Sequence, residues 1–334
     1  MKNYLILLIL GLGVGSCSLL PEKSYQAEFS ELDEMVDLLE DQGALLSQSL
    51  DSIAHFYEDH ISNFDSLLSQ ADYDKYLIEG PFSSATPGSD SSKSSIIILN
   101  TTANREKALK EVAATNFLDE RFSDFVKKNE LVAQVYSNSA LQVSRVYPCY
   151  DHKNIVDPNI DVTQFNFYYA ANEINNPNRG LVWIPDAYVD PAGRGWIVSL
   201  VHPIYKNDSL FAVLGVDFTV DDVIYNYLQD YEGEYLLVNA KGDIVAGKAG
   251  AIETISMPPL KNHVYRETVK SENFRVSDFN LFQSRSREVR EMAQEFLLKK
   301  SQVFEFQEEK SLKVALCYPF QEIDWYMIQI IPSN

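Results

Sequence analysis

From Tyr25 to Leu67, apolar residues recur at alternating spacings of four and three. One row runs Phe29, Val36, Gly43, Leu50, Tyr57 and Phe64; the other runs Tyr25, Leu32, Leu39, Leu46, Ile53 and Leu67, with His60 filling the remaining place. An α-helix keeps such a stripe on one side, and about six heptads of it, with charges between, describe one long helix whose apolar face needs a partner surface. Gly43 and His60 interrupt the stripe locally. Residues 25–78 are therefore assigned to a stalk helix. Two uses are open to its face: packing against its own domain, or pairing with a second copy as a homodimer.

Ahead of the stripe stand Met1-Lys2-Asn3, the apolar run Tyr4 to Leu12, small residues, and Cys17. That is the layout of a secretory signal peptide, too short for the roughly 20 residues that cross a bilayer as a helix. Val14-Gly15-Ser16-Cys17 resembles the bacterial lipobox, with Val where Leu is commoner. The resemblance implies a signal peptide over residues 1–16, a lipid on Cys17, and a tether over 17–24. The expected location is extracytoplasmic, lipid-anchored to a bacterial membrane on its periplasmic face. Ser18 in place of an Asp permits sorting to the outer membrane.

The 334 residues carry a formal net charge of -20, which argues against nucleic acid or anionic lipid as a partner, since both demand a basic face. An aromatic fraction of 12% suits pockets for cationic or uncharged ligands as well as cores. Beyond Cys17 only Cys149 and Cys317 remain; an oxidising compartment would permit a bridge between them, but their strand-like settings in opposite halves favour two separate buried thiols. His55, His60, His152, His202 and His263 are dispersed and form no zinc motif; no nucleophile elbow or P-loop occurs. The chain reads as a binding protein without metal or cofactor, and not as an enzyme.

Past the stalk, Pro81 to Ser95 reads as a loop, Ile96 to Leu99 as a buried strand, and Arg105 to Lys128 as helical. Leu131 to Tyr136 and Leu141 to Tyr147 read as strands joined by a turn at Ser137-Asn138-Ser139. Gly195 to Tyr205 and Leu210 to Phe218 form a hairpin around Lys206-Asn207-Asp208-Ser209, and Asp221 to Asp230 a short helix. A second hairpin, Tyr235 to Asn239 with Ile244 to Ala246, is followed by a helix near Arg285 to Lys300. Three strands, Val303 to Gln307, Lys313 to Pro319 and Trp325 to Ile331, close the chain. The pattern is α+β in two successive modules, 96–230 and 231–334.

Three linked stretches then become specific. Gly180 to Asp190 contains Tyr188-Val189-Asp190; Trp196 to Tyr205 contains Pro203-Ile204; Val213 to Asp217 ends in Gly215-Val216-Asp217. In this order and spacing they resemble the double Cache extracellular sensor domain, over most of residues 25 to 332. The resemblance implies a stalk helix beside two PAS-like modules with antiparallel sheets. It also implies a membrane-distal first module that holds the ligand. Family receptors continue into a signalling domain, whereas this sequence stops at Asn334, so the expected signal passes through a partner signalling or membrane protein.

Carried over by resemblance, the candidate ligand-binding residues are Tyr168, Tyr169, Trp183, Tyr188, Asp190 and Asp217. Two carboxylates with ring faces suit an ammonium. Many amino-acid-binding members carry Arg where this chain has Asn166, so the carboxylate clamp is missing and the expected ligand is an amine or small uncharged compound and not an α-amino acid. Arg179 or Arg194 could supply a replacement. The alternative is a protein-binding adaptor whose pocket has decayed.

Overall fold

The computed structural model describes residues 25–88, 90–192, 196–255, 279–308 and 311–333. The expected signal peptide and tether, Cys17, Arg194 and His263 lie outside the described residues.

The apolar stripe forms α1 (Gln26–Ser62), 37 residues long or about 55 Å at 1.5 Å per residue. It is shorter than the sequence suggests: after Asn63 come a two-turn helix, α2 (Phe64–Gln70), and then an irregular segment with a turn. Leu67 belongs to α2, and residues 71–78 are not helical. The buried side chains on α1 are Leu32, Met35, Val36, Leu46, Leu50, Ala54, Tyr57 and Ile61. Leu32, Met35 and Val36 pack with Leu237, Leu316 and Met327, while Leu46 to Ile61 pack with Phe122, Leu200, Leu214 and Val216. The stripe thus faces the chain's own sheets. Leu32 to Val36 and Leu46 to Ile61 are covered from within the molecule, and between them Leu39 and Gly43 border a cleft.

The first sheet has the order β1-β2-β3-β5-β4-β8-β7-β6, with β1 Ile78–Glu79, β2 Phe82–Ser83, β3 Ser95–Ile98, β4 Gln134–Ser139, β5 Val143–Tyr147, β6 Val182–Val189, β7 Trp196–Lys206 and β8 Ser209–Thr219. All its pairings are antiparallel. α3 (Arg105–Ala114) and α4 (Leu118–Lys128) follow β3. The second sheet has the order β10-β9-β13-β12-β11, with β9 Glu234–Asn239, β10 Ile244–Gly247, β11 Val303–Glu305, β12 Leu312–Pro319 and β13 Trp325–Pro332. The expected α+β class, with a long N-terminal helix and two antiparallel sheets, is what the structure has.

Local chemistry explains most boundaries. Asn207 and Asp208 both have positive φ, 51° and 60°, the backbone of the tight two-residue turn that closes β7 onto β8. The turn expected at Ser137-Asn138-Ser139 lies instead at 140–142, where Gln142 takes φ 64°. The three polar residues stay within β4 because each faces something other than solvent. Ser137 Oγ meets Tyr57 Oη at 3.2 Å, Ser139 Oγ accepts from the Val143 amide, and Asn138 faces the cavity described below. The loop expected over Pro81 to Ser95 contains β2. Cys149 is half-buried and Cys317 buried; both are free thiols, and burial pushes Cys317 up to about 12.

Candidate functional site

Successive strand residues point to opposite faces, so one face of the first sheet is set by alternate positions. On β8, Ala212, Leu214, Val216 and Phe218 join the core under α1, which leaves Val213, Gly215 and Asp217 on the other face. Register places Gln134 opposite Asp217 and Ser199 opposite Asp217 from the other side. Three polar residues on three adjacent strands therefore meet without any special backbone geometry. This second face is covered by the segment between β5 and β6, which includes α5 (His152–Ile155) and α6 (Asn166–Tyr169), and the two line a cavity of about 50 Å³.

The polar side chains in this cavity form a chain of hydrogen bonds. Gln134 Nε2 donates to Asp217 Oδ2 at 2.5 Å and to Asp190 Oδ2 at 3.2 Å. Ser199 Oγ donates to Asp217 Oδ1 at 2.5 Å. Since that hydroxyl has one proton, the 2.6 Å contact between Tyr188 Oη and Ser199 Oγ has the phenol as donor. Asp190 Oδ1 accepts from the Ala192 amide at 2.8 Å. Burial, and after it the charge of Asp217, holds the phenols of Tyr136 and Tyr188 well above their ordinary range. Both are neutral donors at neutral pH.

Two buried atoms of the cavity wall, Asn138 Oδ1 and Tyr136 Oη, have no hydrogen-bond partner among the described residues. A buried acceptor of that kind costs about 1 to 3 kcal/mol unless something supplies a donor. Two carboxylates and this amide oxygen accept; no Lys or Arg lines the cavity among the described residues. The arrangement can receive a small cationic donor.

The structure divides the six sequence-derived residues. Tyr188, Asp190 and Asp217 line the cavity together. Tyr168 is buried in the apolar cluster around it without lining it, and burial pushes its phenol up to about 12. Tyr169 is 46% exposed, because α6 turns it away from the sheet. The aromatic stretch contributes Phe165 and Phe167 instead, stacked at 5.3 Å between centroids. Trp183 stacks on Phe218 at 5.9 Å and lines a different cleft beneath α1. Asn166 accepts from the Phe167 amide, and Arg179 pairs with Asp208; neither lines the cavity. Sequence reasoning missed Gln134, Tyr136, Asn138 and Ser199. Only strand register brings them in.

Gly215 has a steric role here. A Cβ at this position would overlap the Tyr136 ring, which crosses β8 at that point to reach the cavity. Further along β6, a register shift between Ile184 and Tyr188 frees the backbone to contact the second sheet. Pro185 O accepts from Trp325 Nε1 at 2.9 Å, and Asp186 accepts from Asn239 at 2.8 Å and Lys241 at 2.7 Å. The strand carrying Tyr188 thus also fastens the two sheets together.

No family model and no curated protein matches the chain. Among solved structures it is similar to the ligand-binding domain of the Pseudomonas fluorescens chemoreceptor CtaA in complex with L-alanine, at 16% identity over 69% of this chain and 86% of that one, TM-score 0.43. It is also similar to that of Campylobacter jejuni chemoreceptor Tlp3 with L-norvaline, at 12% identity over 93% and 94%, TM-score 0.42. A third is that of Pseudomonas aeruginosa chemoreceptor PctB with L-Arg, at 13% identity over 89% and 87%, TM-score 0.41. With TM-scores below 0.5, the fold of this chain is taken from its own strands and helices.

Proposed function

We propose that this protein is an extracytoplasmic ligand-binding sensor of the double Cache type, held at a membrane by a lipid on Cys17, that takes a small ammonium compound in the cavity of its first module. Modules over 96–230 and 231–334 are part of this reading, as is transfer of the signal through a partner protein. The observation that carries the ligand class is the convergence of Asp190, Asp217 and the unpartnered Asn138 Oδ1 on one cavity that no described cation lines. A protonated amine brings a positive charge and N–H donors, which suit two carboxylates and an amide oxygen. About 50 Å³ holds roughly three or four water-sized volumes, which favours ammonium or a short alkylammonium over an α-amino acid.

A second reading, a protein-binding adaptor, is favoured by one observation: Gln134 already bridges both carboxylates. A thermal-shift screen of the protein against ammonium, methylammonium, α-amino acids and carboxylates separates the two. A ligand at 100 times its dissociation constant adds about 2.7 kcal/mol to stability. Stabilisation by the alkylammonium series supports the sensor, and no shift with any class supports the adaptor. The anchor is tested separately, by incorporation of labelled palmitate that Cys17→Ala abolishes.

A further inference from the structure

Beneath α1, where the two sheets meet, lies a cleft of about 660 Å³, within the range of sites that hold drug-sized molecules. Its walls come from three parts of the chain. Leu39 and Gly43 stand on α1, Trp183 and Phe218 on the first sheet, Leu237 and Trp325 on the second. Gly43 interrupts the apolar stripe at this point, and a Cβ there would sit 3.4 Å from Cζ2 of Trp183, so the missing side chain lets the helix lie close to the indole.

The mouth of the cleft is acidic. Glu40, Asp41 and Glu322 line it, with no Lys or Arg among the described lining residues. Glu40 is fixed in place by accepting the Gln321 and Glu322 amides at 2.5 and 2.9 Å, which ties the rim of α1 to the turn before β13. Asp41 and Glu322 are exposed. An apolar interior that includes aromatic rings, with a rim whose described charged groups are all anionic, matches a molecule that is apolar in its body and positively charged at one end, because ring faces and carboxylates both attract a cation.

We propose that this cleft is a second ligand site, for an apolar organic cation. Because its walls belong to the stalk helix and both sheets, an occupant touches all three and holds them in one relative position. The site shares no lining residue with the small cavity, and the proposal stands whether or not that cavity binds an amine.

The test uses the purified full-length protein and the probe benzyltrimethylammonium, followed by tryptophan fluorescence. The proposal expects saturable binding, at least tenfold weaker binding of uncharged neopentylbenzene, and at least tenfold loss in the surface variant Asp41→Asn/Glu322→Gln. Gly43→Leu, which raises helix propensity while filling the cleft, is expected to abolish binding. Asp190→Ala is expected to leave it unchanged. Equal binding of the uncharged analogue, full binding by Gly43→Leu, or loss on Asp190→Ala overturns the proposal. So does absence of binding by the native chain, including the case in which removing residues 1–24 restores it, which would make the cleft the seat of that segment.

Discussion

Gln134 on β4 stands directly opposite Asp217 on β8, and its side-chain amide donates to the Asp217 carboxylate at 2.5 Å. The pair lies on the cavity face of the sheet, and the same carboxylate accepts from Ser199 on the strand beyond. Asp217 is thus the acceptor that joins three strands.

Replacing it tests that role. Asp217→Ala leaves the Gln134 amide and the Ser199 hydroxyl without this acceptor, and each buried unsatisfied group costs about 1 to 3 kcal/mol. The expected result is a lower urea midpoint with an unchanged slope. Asp217→Asn keeps an acceptor oxygen and loses less stability.

Gly215→Ala acts on the same site through sterics alone. The added methyl collides with the Tyr136 ring, so the ring or β8 must shift, at a cost of about 1 to 3 kcal/mol for overpacking. Thermal unfolding reads the stability loss, and ligand titration reads a weakened cavity. An alanine variant as stable as the native chain contradicts the packing.

Glu111 on α3 is buried, and desolvation raises its carboxyl to about 7 despite a hydrogen bond with Ser139 and the charges of Arg145 and Lys206. A pKa raised in the folded state means that the native chain binds the proton more tightly than the unfolded one. This contribution is fully present below the unfolded value near 4.5 and is lost as pH rises through about 7. Glu111→Gln is expected to flatten that fall and to be the more stable form at pH 8, by up to about 3 kcal/mol. Urea midpoints of both proteins from pH 5 to 8 check it.

Arg145, fully buried on β5, pairs with Asp119 on α4 at 2.5 Å, and Lys75, Tyr76 and Ser94 also meet that carboxylate. Burial pushes Asp119 up, but the charges of Arg145 and Lys75 and the hydrogen bonds outweigh it, so the pKa lies below the ordinary value. The stabilisation is present above the unfolded pKa and disappears as pH falls through the lower, folded one. Arg145→Met, which breaks a buried pair, is expected to cost about 3 to 5 kcal/mol at pH 7 and less in acid. Denaturant melts at pH 7 and pH 3 measure both.

How far the sequence reads depends on whether a feature is local. The β7–β8 hairpin is legible because Asn207 and Asp208 accept positive φ, and the α1 face because Leu32 to Tyr57 repeat at helical spacing. The end of α1 was missed because Phe64 and Leu67 continue the stripe past Ser62 in a second, shorter helix. Ser137 and Asn138 look like turn residues, yet backbone pairing with β5 on one side and β8 on the other keeps them in a strand. In the site, Tyr188, Asp190 and Asp217 follow from the motif. Gln134 and Ser199 are visible only through antiparallel register, which no local signal reveals, and Trp183 faces the opposite side of the sheet from Asp217.

The central claim, that Asp190 and Asp217 hold a small ammonium ion beside Asn138, is tested most directly by calorimetric titration with methylammonium chloride at pH 7 and constant ionic strength. The expected result is one site per chain in the native protein, with affinity reduced at least tenfold in Asp190→Ala. Absence of binding by the native protein, or equal affinity in the variant, would contradict it.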